Sequence, residues 1–418
     1  MSLLTQASLI LTPNAYKAGK LYSVVPSSGN GDMTVARGTT ATRVNSSGNI
    51  QTMAIDVPRL DYTGIACPNI LLEPERINSV PNSTMTGASS APSTFPTGWQ
   101  PSPNGLTQTI VGVGIENGLT YIDVRNFGTA TGGQLGIRTS QSNAIAAAQN
   151  QVWSGSVYVK IVAQPLPPTS YGFGLIERDI NLAYLSGAIF TAFSNTILQR
   201  LSVTGTLSQP TTVYVQQDVN ANIIIGNAYD FTIRIAGPQV ELGAYTTSFI
   251  PTISSIVTRN FDNIFKTGIG SDILNPSEGT FYAEIAASAN DLVQKVIQIS
   301  DGSDLNLVMI APYIFSNVIR FTIIGSGGTY VLNVTVTNIA SFNKCLLKWG
   351  VGGLFVYVNG VKYILPLSSG SGSGIPTALT RLSFSQWWGG TPFYGKCKGL
   401  QVYKTALTDA QCFALTTL

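Results

Sequence analysis

The sequence predicts an all-β chain: an N-terminal region followed by two antiparallel β-sandwiches. Three observations predict it. Short runs alternate polar and apolar residues along nearly the whole chain, the period-2 pattern of half-buried strands. Gly 42 and Pro 21 supply turns, while only 10% charged residues leave little to cover the outer faces of long helices. The 418 residues suffice for two or three domains, each with its own core.

The first element is the region 1–75. Thr34-Val35-Ala36-Arg37 and Ala41-Thr42-Arg43-Val44-Asn45 alternate as short strands do, with Ser46-Ser47-Gly48-Asn49 as a turn. Strand-like alternation continues over residues 50–57. The charged residues Arg59, Asp61, Glu73 and Arg76 are expected to form a structural ion-pair network at a domain junction. Residues 79–108 are rich in Ser, Thr, Pro and Gly and read as an irregular lead-in segment.

The second element is a jelly roll over 76–256. Runs at 107–114, 120–125, 133–139, 152–161, 172–177, 186–193, 195–204, 213–217, 229–235 and 238–242 have the number and spacing of its strands. Gly237-Pro238-Gln239-Val240-Glu241-Leu242-Gly243 reads as its last strand, and Pro251 keeps the exit extended. This closing pattern resembles that of carbohydrate-binding-module-like jelly rolls in bacterial and phage surface proteins.

The third element is a sandwich over 257–418. Its strands are expected at 278–285, 296–300, 305–310, 318–324, 330–336, 344–349, 354–358, 361–365, 380–384 and 399–403. Asn359-Gly360 stands where a type I′ hairpin turn needs two positive φ values. The partner of that hairpin is expected to be the segment 395–408. Thr408 and Gln411 stand at capping-box spacing, so a short terminal helix is expected to begin there. The Val356-Tyr357-Val358-Asn359-Gly360-Val361 hairpin and the ending Leu400-Gln401-Val402-Tyr403 to Ala406-Leu407-Thr408 resemble concanavalin A-like (laminin-G-like) sandwiches.

A further resemblance covers residues 34–78. Thr42-Arg43-Val44-Asn45, Val57-Pro58-Arg59-Leu60-Asp61-Tyr62 and Cys67-Pro68-Asn69-Ile70-Leu71-Leu72-Glu73-Pro74-Glu75-Arg76-Ile77-Asn78 are similar, in order and spacing, to a stretch of phage structural proteins. Ile77 departs from the Thr usual there. Together these resemblances imply a bacteriophage virion fibre protein, of the crAss-like head-fibre or a related tail-fibre type. They imply residence in the virion after synthesis in the host bacterial cytoplasm, and contact with other virion proteins such as capsid or tail proteins. A homo-oligomer, trimeric by preference and otherwise dimeric, is expected because fibre proteins must cover sandwich edges. The runner-up is a tail fibre or receptor binder. A secreted bacterial glycan-binding or glycan-cleaving protein is a more distant alternative.

Composition excludes several function classes. Histidine is absent, which removes Ser-His-Asp and Cys-His nucleophile systems and histidine metal sites. A net charge of +3 with no basic run gives no support to nucleic-acid binding. No apolar span long enough for a membrane helix is present, and Met1–Ile10 lacks the basic start of a signal peptide. No membrane insertion is expected, and the sequons at Asn45, Asn82 and Asn333 carry no meaning in a cytosolic chain. Cys67, Cys345, Cys397 and Cys412 are widely spaced; free thiols are expected, with one bridge among the last three as the alternative.

Candidate chemistry is sparse, and no enzyme activity is expected. Glu177 and Asp179 put two carboxylates at i and i+2, but nothing marks them as facing each other across a cleft, as glycosidases require. No cofactor is expected. Asp301 and Asp304, in Asp301-Gly302-Ser303-Asp304, are the candidate Ca2+ ligands, although a plain turn explains them. The candidate glycan platform is Trp387, Trp388 and Tyr394, because two adjacent Trp residues in a strand cannot both face inward. Adhesion to host or mucus glycans is the expected task.

Overall fold

The computed structural model describes residues 3–140, 143–350 and 352–417. The chain forms two compact units rather than the three expected from the sequence. Unit 1 gathers Met1–Ser47, Thr52–Glu75 and Asn260–Leu418, and unit 2 gathers Gly48–Gln51 and Arg76–Arg259. Both are antiparallel β-sandwiches, so the all-β fold class holds.

Unit 1 carries two large sheets. One runs, edge to edge, Val361–Ile364, Phe355–Val358, Asn343–Trp349, Gly279–Ala287, Gly395–Tyr403, Asn69–Leu72 and Arg59–Asp61. The other includes Met33–Ala36, Asn263–Lys266, Arg381–Ser383, Ile297–Ser300, Leu307–Pro312 and Val318–Gly325 as consecutive neighbours. Strand alternation builds the core: Phe281, Ala283 and Ile285 join the inner cluster, while Tyr282 between them faces the opposite side. There Tyr282 meets Leu346, Tyr357, Tyr403 and Cys412, the last from the terminal helix Asp409–Thr416. That helix begins at Thr408 with the expected capping box to Gln411.

The N-terminal residues are woven into this unit. Leu9–Leu11 pairs with Leu400–Val402, Asn69–Leu72 pairs with the start of Gly395–Tyr403, and Met33–Ala36 pairs with Asn263–Lys266. Leu9, Leu21, Met33, Leu60, Ile70 and Leu72 lie in the same core as Phe281 and Trp349. The separate region expected over 1–75 is therefore corrected. Its apolar residues find partners hundreds of positions away, which no local pattern reveals.

The hairpin at Asn359-Gly360 has φ of 49° and 79° at its two turn residues, and Val358 faces Val361 across it. Its neighbour is Asn343–Trp349 and not the segment 395–408. Gly395–Tyr403 pairs instead with Gly279–Ala287.

Unit 2 is a sandwich of two sheets. One runs Trp99–Ser102, Gln134–Thr139, Tyr214–Asn222, Ser170–Arg178 and Tyr184–Phe193, with Ile145–Ala146 beside Tyr214–Asn222. The other runs Thr107–Glu116, Leu119–Thr129, Ala228–Leu242, Val152–Leu166 and Gln199–Thr206. Trp99, Trp153, Phe173 and Phe231 share the core between them. The segment singled out as the last strand lies in the long central strand Ala228–Leu242. Pro238 is tolerated there because the register slips: Ser156 faces Gln239 while Tyr158 faces Ala236, so Val157 alone opposes Gly237 and Pro238. Gly237 takes the left-handed φ of 51° that the bulge requires.

Candidate functional site

The first sheet of unit 2 turns one face to the core and the other outward. On Ser170–Arg178, Tyr171, Phe173 and Leu175 point into the core. Gly172 and Gly174, on the alternate face, therefore point outward. On Tyr214–Asn222, Val215, Val219 and Ala221 point inward. Their alternates Gln216, Asp218, Asn220 and Asn222 form a polar row on the outer face. Register aligns the two strands: Gly172 faces Asn220 and Gly174 faces Asp218. On the other flank Gly136 faces Asn220, Arg138 faces Asp218, and Gln134 faces Asn222.

The glycines make a trough that aromatic rings occupy. A Cβ at Gly172 would lie 2.0 Å from Phe190 Cε1, and one at Gly174 would lie 2.3 Å from Phe190 Cδ2. The Phe190 ring thus rests on the bare backbone of its neighbour strand. A Cβ at Gly187 would meet the Tyr184 hydroxyl at 3.0 Å. Tyr184 is 64% exposed and Phe190 42% exposed. With Ile176, Asp218, Asn220, Asn222 and Gln134 they line a cleft of about 220 Å³. That is less than the ~300–1,000 Å³ of sites that enclose a drug-sized ligand, and suits an open groove that takes one end of a molecule.

The polar groups of the cleft are held by one another. Gln134 Nε2 donates to Asn222 Oδ1 at 3.0 Å, and Asn222 Nδ2 donates to Ser170 Oγ at 2.8 Å. Asn220 Nδ2 donates to Asp218 Oδ2 at 3.3 Å. Asp218 and Asn220 are both 1% exposed. Burial pushes the Asp218 carboxyl above its ordinary value, and the Arg138 guanidinium, with Nε 3.1 Å from Oδ1, opposes that shift. Asn220 Oδ1 has no hydrogen-bond partner among the described residues. Arg178, next along the face, donates to Gln216 Oε1 at 2.6 Å and to the Leu182 carbonyl at 2.7 Å.

None of these residues was a sequence-level candidate. The strand expected over 213–217 stops short because Asp and Asn are poor strand formers, whereas the strand continues to Asn222. Tyr184 lies just outside the expected strand 186–193 and inside the observed Tyr184–Phe193. Two signals were available: the Tyr-Gly-Phe-Gly-Leu run at 171–175, and polar residues at every second position from 216 to 222.

The candidates read from the sequence fall elsewhere. Trp387 and Trp388 sit in a turn between Arg381–Ser383 and Gly395–Tyr403, not in a strand, so the alternation argument does not apply to them. Trp388 is 60% exposed, and Trp387 Nε1 donates to Asp304 Oδ1 at 2.9 Å. Tyr394 is half-buried just before Gly395–Tyr403, and its carbonyl accepts from Ser288 N. Asp301 accepts from Ser303 N and Oγ through one oxygen and from Asn306 Nδ2 through the other. Burial would raise the Asp301 pKa, but these bonds outweigh it and lower it. Among the described residues no group of three or more His, Cys, Asp or Glu could hold a metal ion.

The paired carboxylates are also engaged. Glu177 accepts from Ser208 N, Gln209 N and Thr212 Oγ1, bonds that outweigh burial and lower its pKa. Asp179 accepts from Asn181 N and Ala183 N within its own turn.

Of the charged residues of 59–76, Arg59 and Glu73 pair directly. Arg59 donates to Glu73 Oε2 at 2.6 Å and to Asp262 Oδ2, while Arg37 Nη1 lies 3.0 Å from Asp262 Oδ1. All four are buried in unit 1. Burial alone would lower the Arg59 pKa, but the carboxylates of Asp262 and Glu73 reverse this and raise it. Asp61 pairs instead with Lys396 at 3.3 Å. Arg76, in unit 2, stacks its guanidinium over Tyr245 at 5.3 Å.

No known protein family matches the chain, and no curated protein does. Several solved structures are similar in part. The CBM40 of the Ruminococcus gnavus IT-sialidase, bound to α2,3-sialyllactose, matches 34% of this chain and 83% of its own at 14% identity and a TM-score of 0.27. The CBM22-1–CBM22-2 tandem of Paenibacillus barcinonensis Xyn10C matches 80% of this chain and 99% of its own at 12% identity and a TM-score of 0.29. The tripod (BppUct-A-L) from the baseplate of bacteriophage Tuc2009 matches 70% of this chain and 98% of its own at 13% identity and a TM-score of 0.25. At scores this low these likenesses carry no argument about function.

Proposed function

We propose that this chain is a non-enzymatic bacteriophage structural protein, a head fibre or decoration on the capsid surface, that adheres to host or mucus glycans through unit 2. The observation that carries the binding half is the cleft. Exposed Tyr184 and Phe190 offer flat apolar faces beside a buried carboxylate and three amides. Sugars present apolar C–H faces edged with hydroxyls, so a ring stacks on an aromatic side chain while amides and carboxylates take the hydroxyls. The carboxylates at Glu177 and Asp179 are consumed by local bonds, which favours binding without cleavage. The virion half rests on the sequence resemblance of residues 34–78. Self-association is supported by the edge strand Thr107–Glu116, where Val111, Val113 and Ile115 lie exposed on one face.

The test is a glycan array probed with the full chain and with Tyr184→Ala, Phe190→Ala and Trp388→Ala. Binding lost in the first two and kept in the third supports the cleft. Loss in Trp388→Ala alone moves the site to the turn of unit 1. An array without a single bound glycan refutes adhesion by sugar recognition. Antibody labelling of phage particles tests the virion half, and label confined to tails would replace the head-fibre reading with a tail-fibre one.

A further inference from the structure

We infer that the cleft of unit 2 selects uncharged glycans and discriminates against those bearing carboxylates, such as sialylated or uronic-acid chains. This rests on the proposed glycan binding and goes further, to the class of sugar.

The inference follows from what the cleft offers a ligand. Among the described residues that line it, the one ionisable acid or base apart from the Tyr184 phenol is the Asp218 carboxyl, 1% exposed. Beside it, Asn220 spends its N–H on Asp218 and leaves Oδ1 with no partner among the described residues. With Asp218 ionised beside Arg138, the carboxylate accepts and the amide N–H donates, which sets the Asn220 nitrogen and oxygen. Two neighbouring acceptors at the floor of one cleft ask for a donor. A sugar hydroxyl supplies one and a carboxylate does not.

The cations nearby share the outer face but are engaged within it. Arg138 lays its guanidinium over Gly136 and forms an ion pair with Asp218, Nε lying 3.1 Å from Oδ1. Arg178 spends Nε on Gln216 and Nη1 on the Leu182 carbonyl. Neither lines the cleft. An acidic sugar would therefore bring its charge toward a buried carboxylate and an oxygen unpaired among the described residues, while the nearest guanidinium is already committed to that carboxylate. Gln134 and Asn222, bonded to each other at the rim, add adaptable amide contacts that suit hydroxyls of either orientation.

The experiment compares matched glycans on one array, each neutral chain beside its sialylated or uronic-acid counterpart, with the full chain as probe. The expected result is binding to neutral members, with the acidic counterpart at least about tenfold weaker. Asp218→Asn should narrow that gap, and Asn220→Ser should weaken neutral glycans without making acidic ones preferred. Thermal melts of both variants establish that the fold is kept. Should Asp218→Asn not fold, Asn220→Asp, which adds a second acid, should widen the gap. Acidic glycans bound as tightly as their neutral partners, with binding lost in Phe190→Ala, would overturn this inference while leaving the glycan-binding cleft intact. No binding to either class would remove both.

Discussion

Asp262→Asn in unit 1 puts the buried ion cluster to a quantitative test. The Asp262 carboxylate receives Arg37 on one oxygen and Arg59 on the other, and Oδ2 also accepts from Glu73 N at 2.9 Å. Both guanidiniums have 0% side-chain exposure. The amide keeps the shape and removes the charge, so Arg59 is left leaning on Glu73, and Arg37 on backbone carbonyls and the nearby Asp56 carboxylate. Breaking a buried pair costs about 3–5 kcal/mol, because the charge left behind is uncompensated. For a domain of 150–250 residues each kcal/mol shifts the melting temperature by about 2–4 °C, which places the expected fall at about 6–20 °C. Calorimetry reads the shift. Hydrogen exchange locates it: protection should fall in Met33–Ala36, Arg59–Asp61, Asn69–Leu72 and Asn263–Lys266. A double-mutant cycle between Arg59→Ala and Asp262→Ala should return a coupling above about 1 kcal/mol. A melt within about 2 °C of wild type would refute the reasoning, since the arginines would then be satisfied without Asp262.

Four further outcomes are expected. Cys345, Cys397 and Cys412 are buried and free, with burial pushing Cys397 up to about 12 and Cys412 up to about 11, while Cys67 is exposed. A thiol reagent at pH 8 should therefore titrate Cys67 alone in the native protein and all four in denaturant; a fast reaction at any of the other three would contradict their burial. Hydrogen bonds from Lys362, Tyr357 and Lys348 hold the Asp409 carboxyl well below the usual carboxylate range. Its folded pKa is depressed, so its contribution is present above the unfolded value near 4 and fades as pH falls toward the folded one. Because its side chain is 47% exposed, solvent screens the contacts, and Asp409→Asn should cost no more than about 1 kcal/mol at pH 7 and progressively less as pH falls below the unfolded value. Thr408→Ala removes the helix cap and should destabilise by about 1 kcal/mol, measured by chemical denaturation. Gly172→Ala should displace the Phe190 ring, lowering glycan binding by about tenfold or more with a stability loss below about 3 kcal/mol; unchanged binding would show that the ring's seat does not matter.

The strands were legible where alternation and turn chemistry agree. The Asn359-Gly360 hairpin and the capped helix at Thr408 are local, set by residues a few positions apart, and both stand where expected. Partnership was not legible. Leu9–Leu11 alternates like any strand, and nothing in it says that its neighbour is Leu400–Val402. The same limit misplaced the hairpin's partner and made residues 1–75 look like a separate region. The cleft was hidden for a different reason. Its floor uses Asp218, Asn220 and Asn222 in a strand, against their propensity, and its aromatic seat is made by glycines, which read as weak strand positions. Local preference and final structure disagree there, as they do where a fold is shaped for something other than its own stability.

The pairing of Leu9–Leu11 with Leu400–Val402 also fixes an order of events during synthesis. Unit 1 needs strands from both sides of residues 76–259, so its sheet cannot close until Gly395–Tyr403 has left the ribosome. Unit 2, apart from Gly48–Gln51, is continuous in sequence and free to fold much earlier. Meanwhile the apolar stretches around Leu9, Met33 and Ile70 wait unsatisfied, exposed to the aggregation that late long-range pairing invites. A chaperone binding to the nascent chain is best sought on those stretches, and a ribosome stalled near residue 300 should hold unit 2 protease-resistant with residues 1–47 still cleavable.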